Sequence, residues 1–275
     1  VVLSLMNSIP LAKGQIGPKK SKFRRALKDY ELYLFLLPAV IWYIIFAYGP
    51  LYGLQIAFRN FNGALGIWGS KWVGLKHFEN FFNSYYFETL IKNTLSLTIY
   101  ELIAGFPIPI ILALMLNEVK NAKYKKLVQT VTYAPHFISV VVLVGIINIA
   151  LSPNYGFISL GLQALGFEKQ SYLTSPTAFR HIYVWSGIWQ NVGWNSIIYI
   201  ATLSSVDPTI HEAAVIDGAS RLQRVWHISV KSIMPTMVIL LILNTGSIMS
   251  VGFEKVFLMQ NDLNSTTSDV ISTYI

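Results

Sequence analysis

Apolar residues along this chain come in long blocks, without the strict alternation or the one-sided stripe of water-soluble elements. Stretches free of Asp, Glu, Lys and Arg run from Leu32 to Phe58, Leu127 to Phe167, Ile182 to Val206 and Ser232 to Phe253, and a fifth, Asn93 to Asn117, is broken only by Glu101. Each holds or exceeds the roughly 20 residues that an α-helix needs to cross a bilayer. The pattern predicts an all-α polytopic membrane protein with five spans: Glu31 to Leu54, Ile91 to Leu116, Leu127 to Leu151, Phe179 to Leu203 and Ile233 to Phe253. The odd number leaves the C-terminal end outside, in a polar stretch from Asn261 to Asp269 that is only starting to turn apolar. A sixth span beyond Ile275 is therefore expected in the full-length chain. The first block begins too far in and runs too long for a cleavable signal peptide, so it stays as a span.

The polar intervals have their own pattern. Between spans 1 and 2, Arg59-Asn60-Phe61, Gly63, Gly66 and Trp68-Gly69-Ser70 carry the turn chemistry of a folded cap. Ser152-Pro153-Asn154-Tyr155-Gly156 marks a turn after span 3. Pro38, Pro50, Pro107 and Pro109 fall within spans 1 and 2, where each removes a backbone donor and bends the helix. Such bends can border a cavity, or be tolerated because neighbouring helices satisfy the freed carbonyls.

Composition removes competing classes. The 275 residues are 53% hydrophobic and 12% charged, with a mean hydropathy of +0.50, against roughly 25% charged residues in soluble domains. The absence of cysteine excludes disulfides and thiolate metal sites, and the five histidines lack metal-ligand spacing, so no metal or cofactor is expected. A net charge of +8 would fit nucleic acid if it formed a stripe, but it is segregated. Lys13, Lys19, Lys20, Lys22, Arg24, Arg25 and Lys28 precede span 1, and Lys120, Lys123, Lys125 and Lys126 follow span 2. Together with Arg221, Arg224 and Lys231, these put fourteen of the 21 basic residues on the N-terminal side of the membrane. That is the positive-inside bias, and it predicts a cytoplasmic N-terminus. Residues 1–30 read as a basic cytoplasmic leader touching anionic lipid, with no nucleic-acid partner, and 31–275 as the membrane domain.

The chemistry concentrates in one cytoplasmic loop, 207–232, whose polar core reads DPTIHEAAVIDGASRLQRVWHISVK from Asp207 to Lys231. Asp207 can cap a helix that Pro208 starts. A short helix over Thr209 to Ile216 should stop at Asp217-Gly218, where glycine allows a positive φ, and a second should run from Ala219 towards Met234, with Pro235 marking entry to span 5. Ala213, Ala214, Gly218 and Ala219 permit close approach of a partner, and Glu212 and Asp217 offer carboxylates to its basic groups.

Here the sequence resembles the membrane-spanning permease subunits of bacterial ATP-binding-cassette importers. Their hallmark is Glu-Ala-Ala, three residues, Gly, nine residues and Ile-x-Leu-Pro in a cytoplasmic loop. This chain has Glu212-Ala213-Ala214, Gly218 and Ile228 in that spacing, with Val230 and Lys231 in place of Leu and Pro. Gly105-Phe106-Pro107-Ile108-Pro109, Leu114 to Glu118, Gln129-Thr130-Val131, Pro135-His136-Phe137-Ile138-Ser139 and Gly193-Trp194-Asn195-Ser196-Ile197-Ile198-Tyr199 are similar to the carbohydrate branch, and most to permeases for complex oligosaccharides. The resemblance implies a second permease subunit, two cytoplasmic ATPase subunits, an external solute-binding protein and a saccharide substrate. It also implies that Glu212, Ala213, Ala214, Asp217, Gly218 and Ala219 couple the ATPases to the spans. The chain lacks a Gly-x-x-x-x-Gly-Lys-Ser/Thr phosphate loop, so ATP hydrolysis is expected on partner subunits and not here.

A sugar path has candidates in span 4, where Trp189, Asn191, Trp194, Asn195 and Tyr199 are unusually polar and aromatic for a lipid-facing helix. Residues i and i+2 of a helix lie about 200° apart, so Trp189, Asn191 and Asn195 cannot share one face, whereas Asn191, Trp194 and Asn195 can. Indole rings stack on the C–H face of sugars and amides match their hydroxyls. The same residues would equally serve as an interfacial aromatic belt and as interhelical glue. Asn244 of span 5 carries the same two readings. Glu101, ionisable inside a span, could bond a neighbouring helix, line the path or couple protons. His136 reads as a helix-entry residue. An ABC permease for an amino acid, peptide or other non-sugar solute is the alternative within the class. A membrane-embedded enzyme would need clustered carboxylates or histidines, and a proton-driven carrier more spans and inverted repeats.

Overall fold

The computed structural model describes residues 30–274, and the basic leader with Lys13 to Lys28 lies outside that range. The chain forms two units, Val1–Phe82 and Asn83–Ile275. In the first, α1 (Tyr30–Tyr43) passes into a π-helical turn, Ile44–Tyr48, and a 3-10 stretch, Gly49–Phe58. The three make one apolar rod of 29 residues, extending four residues past the expected end at Leu54. The narrowing to 3-10 geometry coincides with Pro50, which cannot donate to the helical ladder. A small cap follows, as the turn residues predict: β1 (Arg59–Asn60), α2 (Gly66–Gly69), β2 (Lys71–Trp72) and α3 (Lys76–Phe82). Arg59 pairs with Trp72 and Asn60 with Lys71 in an antiparallel ladder. The Arg59 guanidinium donates to Ser70 O at 3.0 Å and lies 5.4 Å from the Trp72 ring, which pins the loop between the strands.

The second unit opens with α4 (Phe87–Gly105) and α5 (Pro107–Glu118), which run together as a 32-residue apolar helix. Pro107 falls at the first position of α5, where its missing donor costs least. Asn121 caps α6 (Ala122–Tyr133), accepting from the N–H groups of Lys123 and Tyr124. A 3-10 turn, Ala134–Phe137, and α7 (Val140–Ala150) complete the region expected to be span 3. That region is not one straight helix, because its two arms meet at 102°. Pro135 removes a donor, Ile138 is extended, and Ser139 Oγ caps a new helix by accepting from Val142 N at 3.3 Å. After α8 (Phe157–Ala164) comes α9 (Pro176–Ser204), 29 residues long. Although α9 has the length of a span, its arginine, amides and tryptophans keep it outside the set of helices apolar enough to cross by composition alone.

The polar loop forms α10 (Pro208–Ile216), then α11 (Arg221–Arg224), a π-turn, Val225–Ser229, and α12 (Val230–Gly246). These last three make a single 26-residue apolar helix, and Pro235 sits inside α12 without interrupting it. Three short helices follow: α13 (Phe253–Met259), α14 (Ser265–Ser268) and α15 (Ile271–Tyr274). The polar stretch Asn261 to Asp269 is folded: Asn93 Nδ2 donates to Thr266 O and Asp269 O at 3.0 Å, and Asn264 Nδ2 to Leu173 O at 2.9 Å.

Helix α9 is the axis of this unit, packing on α4, α5, α6, α12 and α14. Its N-terminal half contributes Phe179, Tyr183, Val184 and Ile188 to a core with Leu97, Val144, Val256 and Met259, and its C-terminal half places Tyr199 and Leu203 against Ala113 and Ile233. In lipid, apolar area no longer drives helices together, so close packing through small residues matters more. Gly193 shows this: a Cβ there would strike the Thr132 carbonyl and the Tyr133 ring, so only glycine lets the broken helix seat on α9.

Candidate functional site

Because α9 faces α4 and α5 on one side and α12 on another, a cavity of about 720 Å³ opens along it. Glu101 and Thr98 reach it from α4, Pro109 from α5, Asn191, Trp194, Asn195 and Tyr199 from α9, and Asn244 from α12. Six of the seven residues singled out in the sequence thus line this one cavity, and Trp189 does not. Trp189 points elsewhere on α9 and is exposed, as the 200° offset from Asn191 requires. Tyr199 borders the cavity but is packed into the core, at 3% exposure, so only part of its ring faces the space.

The wall is preorganised by the broken helix. His136 stacks on Trp194 with ring centroids 4.4 Å apart and planes 6° from parallel. Its Nδ1 lies 2.9 Å from Asn191 Oδ1, and Asn191 Nδ2 donates to Gly187 O at 3.0 Å. The Asn191 amide is therefore oriented from both ends, while Trp194 and Asn195 remain half-open to the cavity. Gln190, buried on α9, donates to Ile138 O at 2.8 Å and satisfies a carbonyl that the break leaves free. His136 is a helix-entry residue by position, yet its ring also holds two cavity residues. Its separation from them in sequence, 55 residues from Asn191, hides that contact.

Among the described residues Glu101 has no hydrogen-bond partner, and it opens to the cavity. Across from it stands a group that the apolar pattern missed. Lys255 of α13 donates from Nζ to Tyr183 O at 2.7 Å and lies 4.6 Å from the Tyr183 ring. It follows the last apolar block by only two residues, and the fold turns it back against α9.

The second candidate surface is the loop. Asp207 Oδ1 accepts from Thr209 N at 2.9 Å, and that bond holds its carboxyl below the usual carboxylate range. Gly218 ends α10 with φ +79°, and Ser220 begins the next helix with a reciprocal capping box to Gln223. Ala214, Asp217, Gly218, Ala219, Gln223, Arg224, His227 and Ile228 line a groove of about 340 Å³ at the bend. Glu212 and Ala213 lie on α10 beside it, and Ile216 and Leu222 project, 85% and 81% exposed. Arg221 Nε reaches Glu118 Oε2 at 3.2 Å, tying the loop to the end of α5.

The family model described as the binding-protein-dependent transport system inner membrane component matches residues 93–275. A Bacillus subtilis (strain 168) protein, the polygalacturonan/rhamnogalacturonan transport system permease protein YteP, is 42% identical over 261 residues, covering 94% of this chain and 81% of its own. A solved bacterial ABC transporter involved in import of the acidic polysaccharide alginate aligns with TM-score 0.84 at 42% identity, over 92% of this chain and 85% of the other. A second structure of the alginate transporter, in complex with an alginate pentasaccharide-bound periplasmic protein, aligns with TM-score 0.84 at 41% identity, over 93% and 85%.

Proposed function

The chain belongs to the inner-membrane components of binding-protein-dependent transport systems, and on that premise we propose that its cavity is one half of a saccharide path. It is a multi-pass permease subunit of the cytoplasmic membrane, and its family is one of transporters rather than of enzymes. The observation that carries the saccharide reading is the cavity that Trp194, Asn195, Asn244 and Glu101 line together. An exposed indole face beside amides and a carboxylate offers stacking for a pyranose ring and partners for its hydroxyls. The solved relatives carry alginate, and the Bacillus permease takes its name from pectic polymers.

A second permease subunit would close the open side of this cavity, and two ATPase subunits would receive the 207–232 loop. The bend at Gly218, the groove beside it and the projecting Ile216 and Leu222 support that docking. ATP can drive transport only if its binding favours one conformation of the spans, and a rigid bent pair of helices transmits such a preference. With the loop inside, the N-terminus is cytoplasmic, and an external binding protein delivers the sugar from the other side.

The test is uptake by the assembled transporter in proteoliposomes, with Asn195→Leu and Trp194→Ala against the unaltered chain. Each should reduce saccharide uptake at least about tenfold, the worth of one well-made polar or stacking contact in an enclosed site. Normal saccharide uptake by both, or uptake of amino acids or peptides in place of saccharides, would refute the assignment. For the loop, Glu212→Lys should release the ATPases on purification while the permease pair stays together.

A further inference from the structure

Of the two arginines in α11, Arg221 is paired with Glu118, whereas Arg224, one turn on, has no acidic partner among the described residues. Its side chain is half-buried and lines the groove of about 340 Å³ at the Gly218 bend, and its Nε is buried with no hydrogen-bond acceptor. A guanidinium donor shut away from water without an acceptor costs free energy that an incoming acceptor recovers. The groove does not supply one. Asp217 lines it too, yet forms no ion pair with Arg224. Gln223 Oε1 is taken by Ser220 N at 2.7 Å, and the Gln223 carbonyl accepts from His227 Nδ1 at 3.0 Å. Gln223 therefore turns its side-chain NH2, a further donor, to the groove it lines. Ala214, Gly218 and Ala219 complete that stretch of the lining and are small enough to admit a side chain from outside. An arginine that serves lipid headgroups extends its stem towards them, but Arg224 is drawn into the groove. The turn that follows it, Val225–Ser229, is π-helical, a geometry found mostly at functional positions.

We propose that this groove is the socket for one acidic side chain of the ATPase subunit, an aspartate or glutamate whose carboxylate pairs with Arg224. The planar guanidinium suits a carboxylate in two parallel N–H···O bonds, and the Gln223 amide donates to the same group. The docking surface then carries both signs: Glu212 and Asp217 offer carboxylates to the ATPase, and Arg224 takes one from it. Mixed signs fix the register of docking, because a rotated or shifted loop brings like charges together. This inference rests on the docking of the 207–232 loop proposed above and adds the chemistry of the partner to it.

The experiment measures the affinity of the ATPase subunits for the permease pair held in lipid nanodiscs, as a function of salt and in neutral and anionic lipid. Arg224→Met should weaken binding at least about tenfold, the factor for losing one charge-assisted hydrogen bond, and should flatten the salt dependence. Arg224→Lys should recover part of the loss, since an ammonium cannot bond a carboxylate in two parallel contacts. Neutralising the acidic surface residues of the ATPase one at a time should reveal one whose loss weakens binding to the unaltered chain and adds no further loss in Arg224→Met. That scan with the unaltered chain and Arg224→Lys carries the test if Arg224→Met does not assemble. Unchanged affinity in Arg224→Met and Arg224→Lys, with the ATPases still released by Glu212→Lys, overturns the acidic socket and leaves the loop as the docking site. A loss confined to anionic lipid assigns the guanidinium to a lipid phosphate and overturns it equally. Unchanged affinity in Glu212→Lys as well overturns the docking of the loop itself.

Discussion

Gly193→Ala is the sharpest perturbation of the α9 seat. The new methyl would lie far inside van der Waals contact of the Thr132 carbonyl carbon and oxygen and 2.7 Å from Tyr133 Cδ1. Two of these three neighbours are backbone atoms of a helix, so neither can swing aside as a side chain could. Helix α9 and the broken helix must separate, and the Gln190 to Ile138 bond and the His136 contacts to Asn191 and Trp194 stretch with them. Overpacking of this kind costs about 1–3 kcal/mol, and a buried amide and carbonyl left unpaired add a comparable amount. The expected destabilisation is therefore ~2–5 kcal/mol. The assay is the half-life of the purified transporter in detergent at a fixed elevated temperature, a rate measurement suited to irreversible unfolding. Gly145→Ala in α7 is the control, since a Cβ there meets nothing within 4 Å and alanine favours a helix over glycine. Equal half-lives for the two variants would refute the account of how α9 and the broken helix fit.

Three further outcomes follow from the loop and its ties. Gly218 has φ +79° and open space where a Cβ would stand, so Gly218→Ala meets a conformational cost of about 1–2 kcal/mol and no clash within the chain. Coupled uptake should rank glycine above asparagine above alanine, because asparagine tolerates the left-handed region; identical loss in both variants would show that the residue acts through contact with a partner. The Asp207 carboxyl is held low by the Thr209 N–H, so its cap is present above the unfolded value of about 3.9 and is lost as pH falls through the lower folded value. Hydrogen-exchange protection of the Thr209 amide should be flat from pH 7 to about 5, drop only in stronger acid, and be absent at all pH in Asp207→Ala. In the Arg221–Glu118 pair the arginine is exposed and the glutamate half-buried, and Arg221→Ala should change stability by no more than about 1 kcal/mol, less at high salt; a larger, salt-independent loss would mean the pair is buried in the assembly.

The sequence by itself determined the helical membrane class and the bend in the loop. Both are local properties: uninterrupted apolar blocks in the first case, and Asp207, Pro208 and Gly218 acting on their own backbone in the second. It also placed Asn191, Trp194 and Asn195 on one face, because helical periodicity sorts neighbours on a single element and separates Trp189 from them. Tertiary structure decided what those faces meet. The 102° break at Ile138 and Ser139 and the unbroken course through Pro235 depend on which freed backbone groups find partners, such as Gln190 reaching Ile138 O from another helix. His136 and Lys255 look unremarkable in one dimension, and they meet residues of α9 only because the Ala134–Phe137 turn packs on that helix and Lys255 donates to its Tyr183 O. Periodicity reports the direction of a side chain relative to its own helix axis, and it carries no information about a carboxylate and an ammonium that arrive at Gly187 from elements 154 residues apart.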